Sequence, residues 1–361
     1  MIIFIDRFWD GWKSRAALLG FAVLILMGII ACSPPDRKNR ALNANTQKSS
    51  EEETSPLKPG FLKPRTIGDP VTGRPWITDL AIVDLDQDGM LDVLACEGRE
   101  NTVLWIRQES PGQYVETRIG EPIAGPAHVE AVDFDSDGDL DILVASMGVI
   151  FPSNDRIGAV VIIEQTAPIQ WKNHVVLDKV ARVTDVQAGD LDGDGDLDLA
   201  VAQFGYDQGE GRWMRNLGNW TFESQILTSL SGGIHSPIGD LNNDRQNDIV
   251  MLISQEWEEV HFYENSKAGF RLRKIYGSTN EDYGSSGISL FDVDGDGDLD
   301  ILYTNGDAFD LARPGPRPWH GVQWFENLDG GVFKFRRLGN FPGAYSPIAT
   351  DIDGDLDKDI V

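Results

Sequence analysis

The stretch Asp190-Leu191-Asp192-Gly193-Asp194-Gly195-Asp196-Leu197-Asp198, followed by Leu199-Ala200-Val201-Ala202, limits the fold more than any other part of the chain. Carboxylates stand at relative positions 1, 3, 5 and 9, with glycine at 6. Oxygen ligands at alternate positions of a tight loop can converge on one hard cation, the donor set that Ca²⁺ prefers. The glycine permits the positive φ that turns the chain round the ion. The carboxylate at position 9 is expected to close the shell, with the backbone carbonyl of position 7 as a further ligand. A calcium-binding EF-hand needs Glu at position 12, where Val201 stands, and helical flanks, whereas these flanks read as short strands.

The pattern recurs at Asp84, Asp86, Asp88 and Asp92, at Asp133, Asp135, Asp137 and Asp141, and at Asp292, Asp294, Asp296 and Asp300, with Gly89, Gly138 and Gly297 in the sixth place. Two copies are altered. One has Asp240, Asn242, Asp244 and Asp248 with Arg245 in the glycine position, and the other has Asp351, Asp353, Asp355 and Asp359 with Leu356 there. Spacings between first residues are 49, 57, 50, 52 and 59. One motif per period of roughly 50 residues marks a repeat architecture.

Each repeat reads as four short strands. Strand A precedes the acidic loop (Leu80–Val83), strand B follows it (Val93–Cys96, Ile142–Ala145), and strand C carries aromatic or β-branched residues (Val103–Ile106, Val160–Ile163, Val260–Tyr263, Val322–Phe325). Three strand C runs lead into Asn216, Asn265 and Asn327, each before a turn, and strand D follows, as in Phe222–Ile226 and Phe333–Arg336. Four strands per repeat are the blade of a β-propeller, so the fold class is all-β.

The segments Val83–Asp92 and Trp324–Phe333 resemble repeat units of the FG-GAP/VCBS family, whose calcium-bearing propellers include the integrin α-chain head. The resemblance spans residues 61–361 and implies a calcium-binding propeller, while the family's functions range over adhesins, carbohydrate-active enzymes and lipoproteins. Residues 61–68 read as a strand D without its own A to C, suited to closing a ring, and the sequence reaches Val361 where a strand B begins. The expectation is a seven-bladed ring in the full-length protein, with six repeats visible here and the last incomplete; a six-bladed ring is the alternative.

The chain carries a formal net charge of −27 over 361 residues, much of it in the six loops, which argues against nucleic acid as a partner. Cys32 and Cys96 are its only cysteines, too few for a disulfide framework. Arg7, Lys13 and Arg15 precede an apolar run over 16–31, of signal-peptide length and short for a membrane span. The run ends in Ile29-Ile30-Ala31-Cys32, which resembles a bacterial lipobox; the resemblance implies lipidation of Cys32 and, with Ser33 following, an outer-membrane or cell-surface location. An uncleaved signal anchor is the alternative. Residues 32–60 are rich in Ser, Pro, Asn, Lys and Glu and read as a flexible tether, so the membrane is expected to be met through the N-terminal lipid alone.

Five residues before each loop's first Asp stand Asp79, His128, Asp185, His235, Gly287 and Ser346. Strand A is innermost in a propeller, so these positions should ring one mouth of the central channel. Asp79, His128, Asp185 and His235 are candidates for metal binding or acid/base chemistry, with Glu130 and Arg182 close in sequence; the competing reading is a wet channel lined by polar groups that satisfy one another. Trp76, Trp257 and Trp319 fall near inter-strand loops, and insertions at 148–157 and 313–320 could carry specificity. The expected function is an exported, calcium-binding module that takes a glycan or a surface protein. A polysaccharide lyase or hydrolase using the Asp/His ring is the rival, and an envelope-assembly scaffold is the third reading.

Overall fold

The structure is a computed structural model that describes residues 66–70, 73–308, 315–352 and 354–361. The expected leader with Cys32, the tether, residues 61–65 of the expected closing strand, Arg313 and Pro314 of the Pro-rich insertion and Asp353 lie outside these residues. Among the described residues no helix is long and apolar enough to cross a membrane.

The apolar runs flanking each acidic loop pair as an antiparallel hairpin, and two further strands add outward. The first blade is β1 (Ile77–Val83), β2 (Asp92–Glu97), β3 (Thr102–Ser110) and β4 (Gln113–Ile119), in that order. The second is β5 (Pro126–Val132), β6 (Asp141–Ser146), β7 (Gly158–Ala167) and β8 (Gln170–Val180). The third is β9 (Arg182–Gly189), β10 (Asp198–Phe204), β11 (Glu210–Asn216) and β12 (Phe222–Thr228). In the fourth, the inner strand is split into β13 (Gly233–His235) and β14 (Ile238–Gly239), which pair with β15 (Asp248–Ile253), followed by β16 (Glu259–Glu264) and β17 (Arg271–Gly277). The split falls at Ser236-Pro237, where proline has no N–H for the ladder. The fifth is β18 (Ser285–Phe291), β19 (Asp300–Asn305), β20 (Gly321–Asn327) and β21 (Phe333–Gly339). A last pair, β22 (Ala349–Thr350) and β23 (Asp359–Ile360), opens a sixth repeat.

The structure is thus a β-propeller with five complete blades and a strand pair, against the six repeats counted in the sequence and the seven blades expected of a full ring. Two details differ from expectation. The start of strand B in the sixth repeat does form, because Ile360 and Asp359 pair with Ala349 and Thr350. Residues 66–68 are irregular rather than a strand.

The core lies between blades, not within them. Ile142 and Val144 of β6 pack with blade 1 residues Leu94, Cys96 and Trp105, whereas Leu143 and Ala145 pack with blade 3 residues Val183, Leu199 and Val201. A strand buried on both faces has no polar side to alternate with, so the B strands read as unbroken apolar runs. Fully burying a Leu or Ile side chain stabilises by about 1.5–3 kcal/mol. Each inter-blade layer contains several such residues, which makes neighbouring blades depend on one another. In blade 1, Ala81 and Val83 face blade 2, while Leu80 and Ile82 on the opposite face are exposed.

Every complete inner strand has the same irregularity. The register against strand B slips by one residue at Thr78, Ala127, Thr184, Ile234 and Ser286. A β-bulge of this kind bends the strand and re-aims its side chains. In blades 1, 3 and 5 the bulge hydroxyl then ties the blade to the segment that follows it. Thr78 Oγ1 donates to Pro126 O at 2.6 Å, Thr184 Oγ1 to Gly233 O at 2.8 Å and Ser286 Oγ to Ala344 O at 2.8 Å.

Candidate functional site

The acidic loops are built alike. The sixth position has positive φ in all of them, between 89° and 99° at Gly89, Gly138, Gly195 and Gly297, and the same turn is held by Arg245 at 70° and Leu356 at 79°. The first Asp fixes this turn by accepting the sixth residue's N–H. The distances are 2.8 Å for Asp84, 3.2 Å for Asp133, 3.1 Å for Asp190, 2.8 Å for Asp240, 3.1 Å for Asp292 and 3.0 Å for Asp351.

The turn gathers carboxylates. Asp84, Asp86 and Asp88, then Asp133, Asp135 and Asp137, then Asp190, Asp192 and Asp194 each bring oxygens within 4.8 Å of one another. In blade 5 the gathered set is Asp292, Asp294 and Asp300, without Asp296. In blade 4 Asn242 replaces the central carboxylate between Asp240 and Asp244, and no such set forms there among the described residues. Asp133 Oδ1 is buried and accepts no hydrogen bond. Burial and then neighbouring carboxylates push Asp135 and Asp294 above the usual carboxylate range. An all-oxygen donor set, an orphaned buried oxygen and crowded negative charge fit a hard divalent cation such as Ca²⁺.

The ninth-position carboxylates sit apart from most of these sets. Asp92, Asp141, Asp198, Asp248 and Asp300 are at most 2% exposed. Each ties the loop's second residue to the end of strand C. Asp248 accepts Leu241 N at 3.1 Å and Asn265 N at 2.7 Å. Asp300 accepts Val293 N at 3.0 Å and Asn327 N at 2.7 Å. Asp92 and Asp198 also accept the indole N–H of Trp105 at 2.8 Å and of Trp213 at 3.2 Å. In the sixth repeat Asp359 accepts Ile352 N at 3.1 Å.

A second constellation lies at the axis. A cavity of about 350 Å³ is lined by the bulge ends of the inner strands, including Asp79, His128, Thr184, His235, Ser285 and Ser346. Every repeat contributes, as the equivalent positions require. Of the six equivalent positions, Asp185 and Gly287 do not line the cavity: Asp185 is buried behind it, and a Cβ at Gly287 would meet Ser346 N at 2.6 Å.

His128 Nδ1 lies 3.0 Å from Asp79 Oδ2 and 3.3 Å from Asp185 Oδ1, while Gln187 Nε2 approaches His128 Nε2 at 3.1 Å. The Gln187 donor suits a neutral ring with its proton on Nδ1. The surrounding charge favours the cation: burial works against it, but Asp185, Asp79 and Glu130 outweigh burial and raise His128 to about 9. Asp185 is itself buried and yet lowered; burial opposes this, but the charge of His128 and the hydrogen bonds from Gln187 and from Ser236 N, at 2.6 Å from the next blade, overcome it. Burial raises Glu130 to about 7, although it accepts Ala188 N at 3.0 Å. Burial lowers His235, keeping a neutral imidazole opposite His128.

Arg182, Phe204 and Tyr206 complete the rim. The Arg182 guanidinium lies over both rings, 4.9 Å from the centroid of Phe204 and 5.6 Å from that of Tyr206, and donates to Phe151 O at 3.1 Å. That carbonyl places the 148–157 insertion at the cavity, as do its lining residues Ile150 and Pro152. The three tryptophans do not line it. Trp76 packs on Phe151, Trp257 Nε1 donates to Ser231 Oγ at 3.4 Å, and Trp319 Nε1 donates to Asp282 O at 3.0 Å. Gln187, Phe204 and Tyr206 were not singled out in the sequence. Gln187 is two residues beyond Asp185 on one strand, so period-two reasoning could have found it; nothing local marks the two rim aromatics.

The FG-GAP-like repeat family matches residues 67–144, 190–251 and 240–303, together more than half of the chain. No curated protein matches it. Among solved structures, it is similar to a lectin of Agrocybe aegerita described as recognising non-reducing terminal N-acetylglucosamine, at 18% identity and a TM-score of 0.49, over 79% of this chain and 75% of that one. It is also similar to the exotype rhamnogalacturonan lyase YesX, at 14% identity, a TM-score of 0.44 and 79% of this chain. For the rhamnogalacturonan lyase YesW the values are 15%, 0.43 and 79%. The chain spans about half the length of those two lyases, 52% and 55%. The repeated acidic hairpins, their spacing and the family match agree: this chain belongs to the FG-GAP-like repeat family and folds as a β-propeller.

Proposed function

We propose that the protein is an exported propeller, lipid-anchored at the cell surface through Cys32, whose loops hold Ca²⁺ and whose axial cavity binds a glycan. The observation that carries the reading is the cavity itself. Its roughly 350 Å³ lies in the usual range of small-ligand sites, and hydroxyl, imidazole and carboxylate groups from successive repeats converge there beside two aromatic rings. Such a lining offers donors and acceptors for sugar hydroxyls, with the Tyr206 ring at the rim for apolar contact. The leader and the Ile29-Ile30-Ala31-Cys32 sequence support export and lipidation. The acidic loops support calcium as a structural staple. At millimolar Ca²⁺ and a Kd of about 10⁻⁴ M, each filled loop adds about 1.4 kcal/mol.

The test is retention on a panel of neutral and acidic polysaccharides in millimolar Ca²⁺, with Tyr206→Ala as the variant. Retention by the native protein that falls about tenfold in the variant (about 1.4 kcal/mol) supports the site. Retention indifferent to Tyr206, or none at all, refutes it; in the second case envelope proteins that co-purify would point to a scaffold. A melting curve unmoved by chelation removes the calcium claim. A second reading, an acid/base enzyme acting on polysaccharide, is favoured by His128 between two carboxylates with Glu130 raised to about 7 beside it. New chain ends in the same incubation would establish it.

A further inference from the structure

The acidic loops differ at one residue that none of their own positions reveals. The residue after each ninth-position Asp pairs with strand C as Val93–Ile106, Ile142–Ile163, Leu199–Met214, Ile249–Tyr263 and Ile301–Phe325. One step further along strand C, beside the loop, stand Arg107, Glu164, Arg215, Glu264 and Glu326. Blades 1 and 3 therefore place a guanidinium where blades 2, 4 and 5 place a carboxylate.

The two arginines reach the loops. Arg107 Nε lies 2.6 Å from Asp86 Oδ2, and the guanidinium sits over the Trp105 ring at 5.6 Å. Arg215 Nε lies 2.5 Å from Asp192 Oδ2, and its Nη2 lies 3.9 Å from Asp194. These are ion pairs without an aligned N–H···O hydrogen bond, since both oxygens of Asp86 and the two Nε atoms have no hydrogen-bond partner. In blades 2 and 5 the glutamates turn to other basic side chains. Glu164 pairs with His174 at 2.6 Å and Lys172 at 3.6 Å, and Glu326 with Arg336 and Lys334. Among the described residues, Asp86, Asp192 and Asp194 are the gathered loop carboxylates with an ion pair.

We infer that the loops form two classes of calcium site, a tight class in blades 2 and 5 and a weak class in blades 1 and 3, where Arg107 and Arg215 act as built-in counter-ions. The inference rests on the loops binding Ca²⁺. Its physical basis is charge. Even with the dielectric of bulk water between them, a positive charge about 5 Å from a divalent ion weakens its binding about tenfold. The arginine also offsets the carboxylate repulsion that calcium would otherwise relieve, so the weak loops keep their shape when calcium falls. The protein would then lose calcium in two stages rather than one.

Calorimetric titration of the calcium-depleted protein with CaCl₂ tests this. The native protein should show two classes. Arg107→Gln with Arg215→Gln should tighten the weak class about tenfold, toward the other, whereas Arg107→Lys with Arg215→Lys keeps the charge and should leave two classes. Glu164→Arg, made separately, should move one site from the tight class to the weak one. A single class in the native protein, or a glutamine variant with an unchanged isotherm, overturns the inference while calcium binding stands. Absence of any calcium uptake overturns both.

Discussion

Blade 4 allows the structural work of the ninth-position aspartate to be measured apart from any metal. Its loop has Asn242 and Arg245, and no three carboxylates gather there among the described residues. Asp248 is fully buried and accepts two buried N–H groups, Leu241 N and Asn265 N. Asp248→Ala leaves both without a partner. Each orphaned buried donor costs about 1–3 kcal/mol, so the substitution should cost about 2–6 kcal/mol. That is a large share of the 5–15 kcal/mol by which a domain is typically stable. With unfolding entropy near 2.1 cal/mol/K per residue over roughly 300 residues, the melting temperature should fall by about 3–10 °C. The assay is differential scanning calorimetry of native and variant protein, each with millimolar Ca²⁺ and with excess chelator. A similar fall in both conditions is expected. A shift under 1 °C, or one that vanishes with chelator, would refute the claim that this carboxylate works through backbone hydrogen bonds.

Two further outcomes follow from the geometry. His128 is raised from 6.5 to about 9, so its share of stability is complete below pH 6.5 and lost as pH climbs through 9; His128→Gln should flatten the fall in melting temperature between about pH 6.5 and 9, and an unchanged slope would count against the ion pair with Asp79 and Asp185. At Gly158, a Cβ would meet Ala181 O at 2.2 Å and Val183 N at 2.8 Å, so Gly158→Ala should cost about 1–3 kcal/mol by forcing blades 2 and 3 apart, read as a lower denaturant midpoint with the slope unchanged.

Local spacing made the fold legible. Acidic loops, two-sided apolar B strands and turn asparagines follow from neighbours within ten residues, and they give the blade. The meeting of Asp79, His128 and Asp185 was legible as well, because equivalent positions on inner strands must converge on one axis. What escaped depends on register between strands or on contacts across repeats. The bulge before each axial residue carries no uniform residue signature: Thr78, Thr184 and Ser286 share a hydroxyl, but Ala127 and Ile234 hold the same bulge without one. Arg107 and Arg215 look like ordinary solvated residues until strand C is aligned against strand B. The ninth-position Asp reads like its loop companions, and only its burial separates a backbone tie from a ligand. Phe204 reaches the cavity at the last ladder pair of β10, opposite Arg182, and Tyr206 from the turn just beyond it, a matter of where the strand ends that alternation does not encode.

Asn265 and Asn327 have a consequence of their own. The Asn265 amide donates to Leu191 O at 2.6 Å and the Asn327 amide to Leu241 O at 2.7 Å, each a carbonyl in the acidic loop of the blade before it. Both fasteners point backward along the chain. During synthesis the earlier blade has left the ribosome and can fold before the later strand C is made. Blades 4 and 5 therefore each fasten onto a loop that is already made, and these two ties favour assembly in the direction in which the polypeptide grows. A circularly permuted chain that begins inside blade 4 would reverse that order for Asn265 and make the loop at Leu191 wait for its partner.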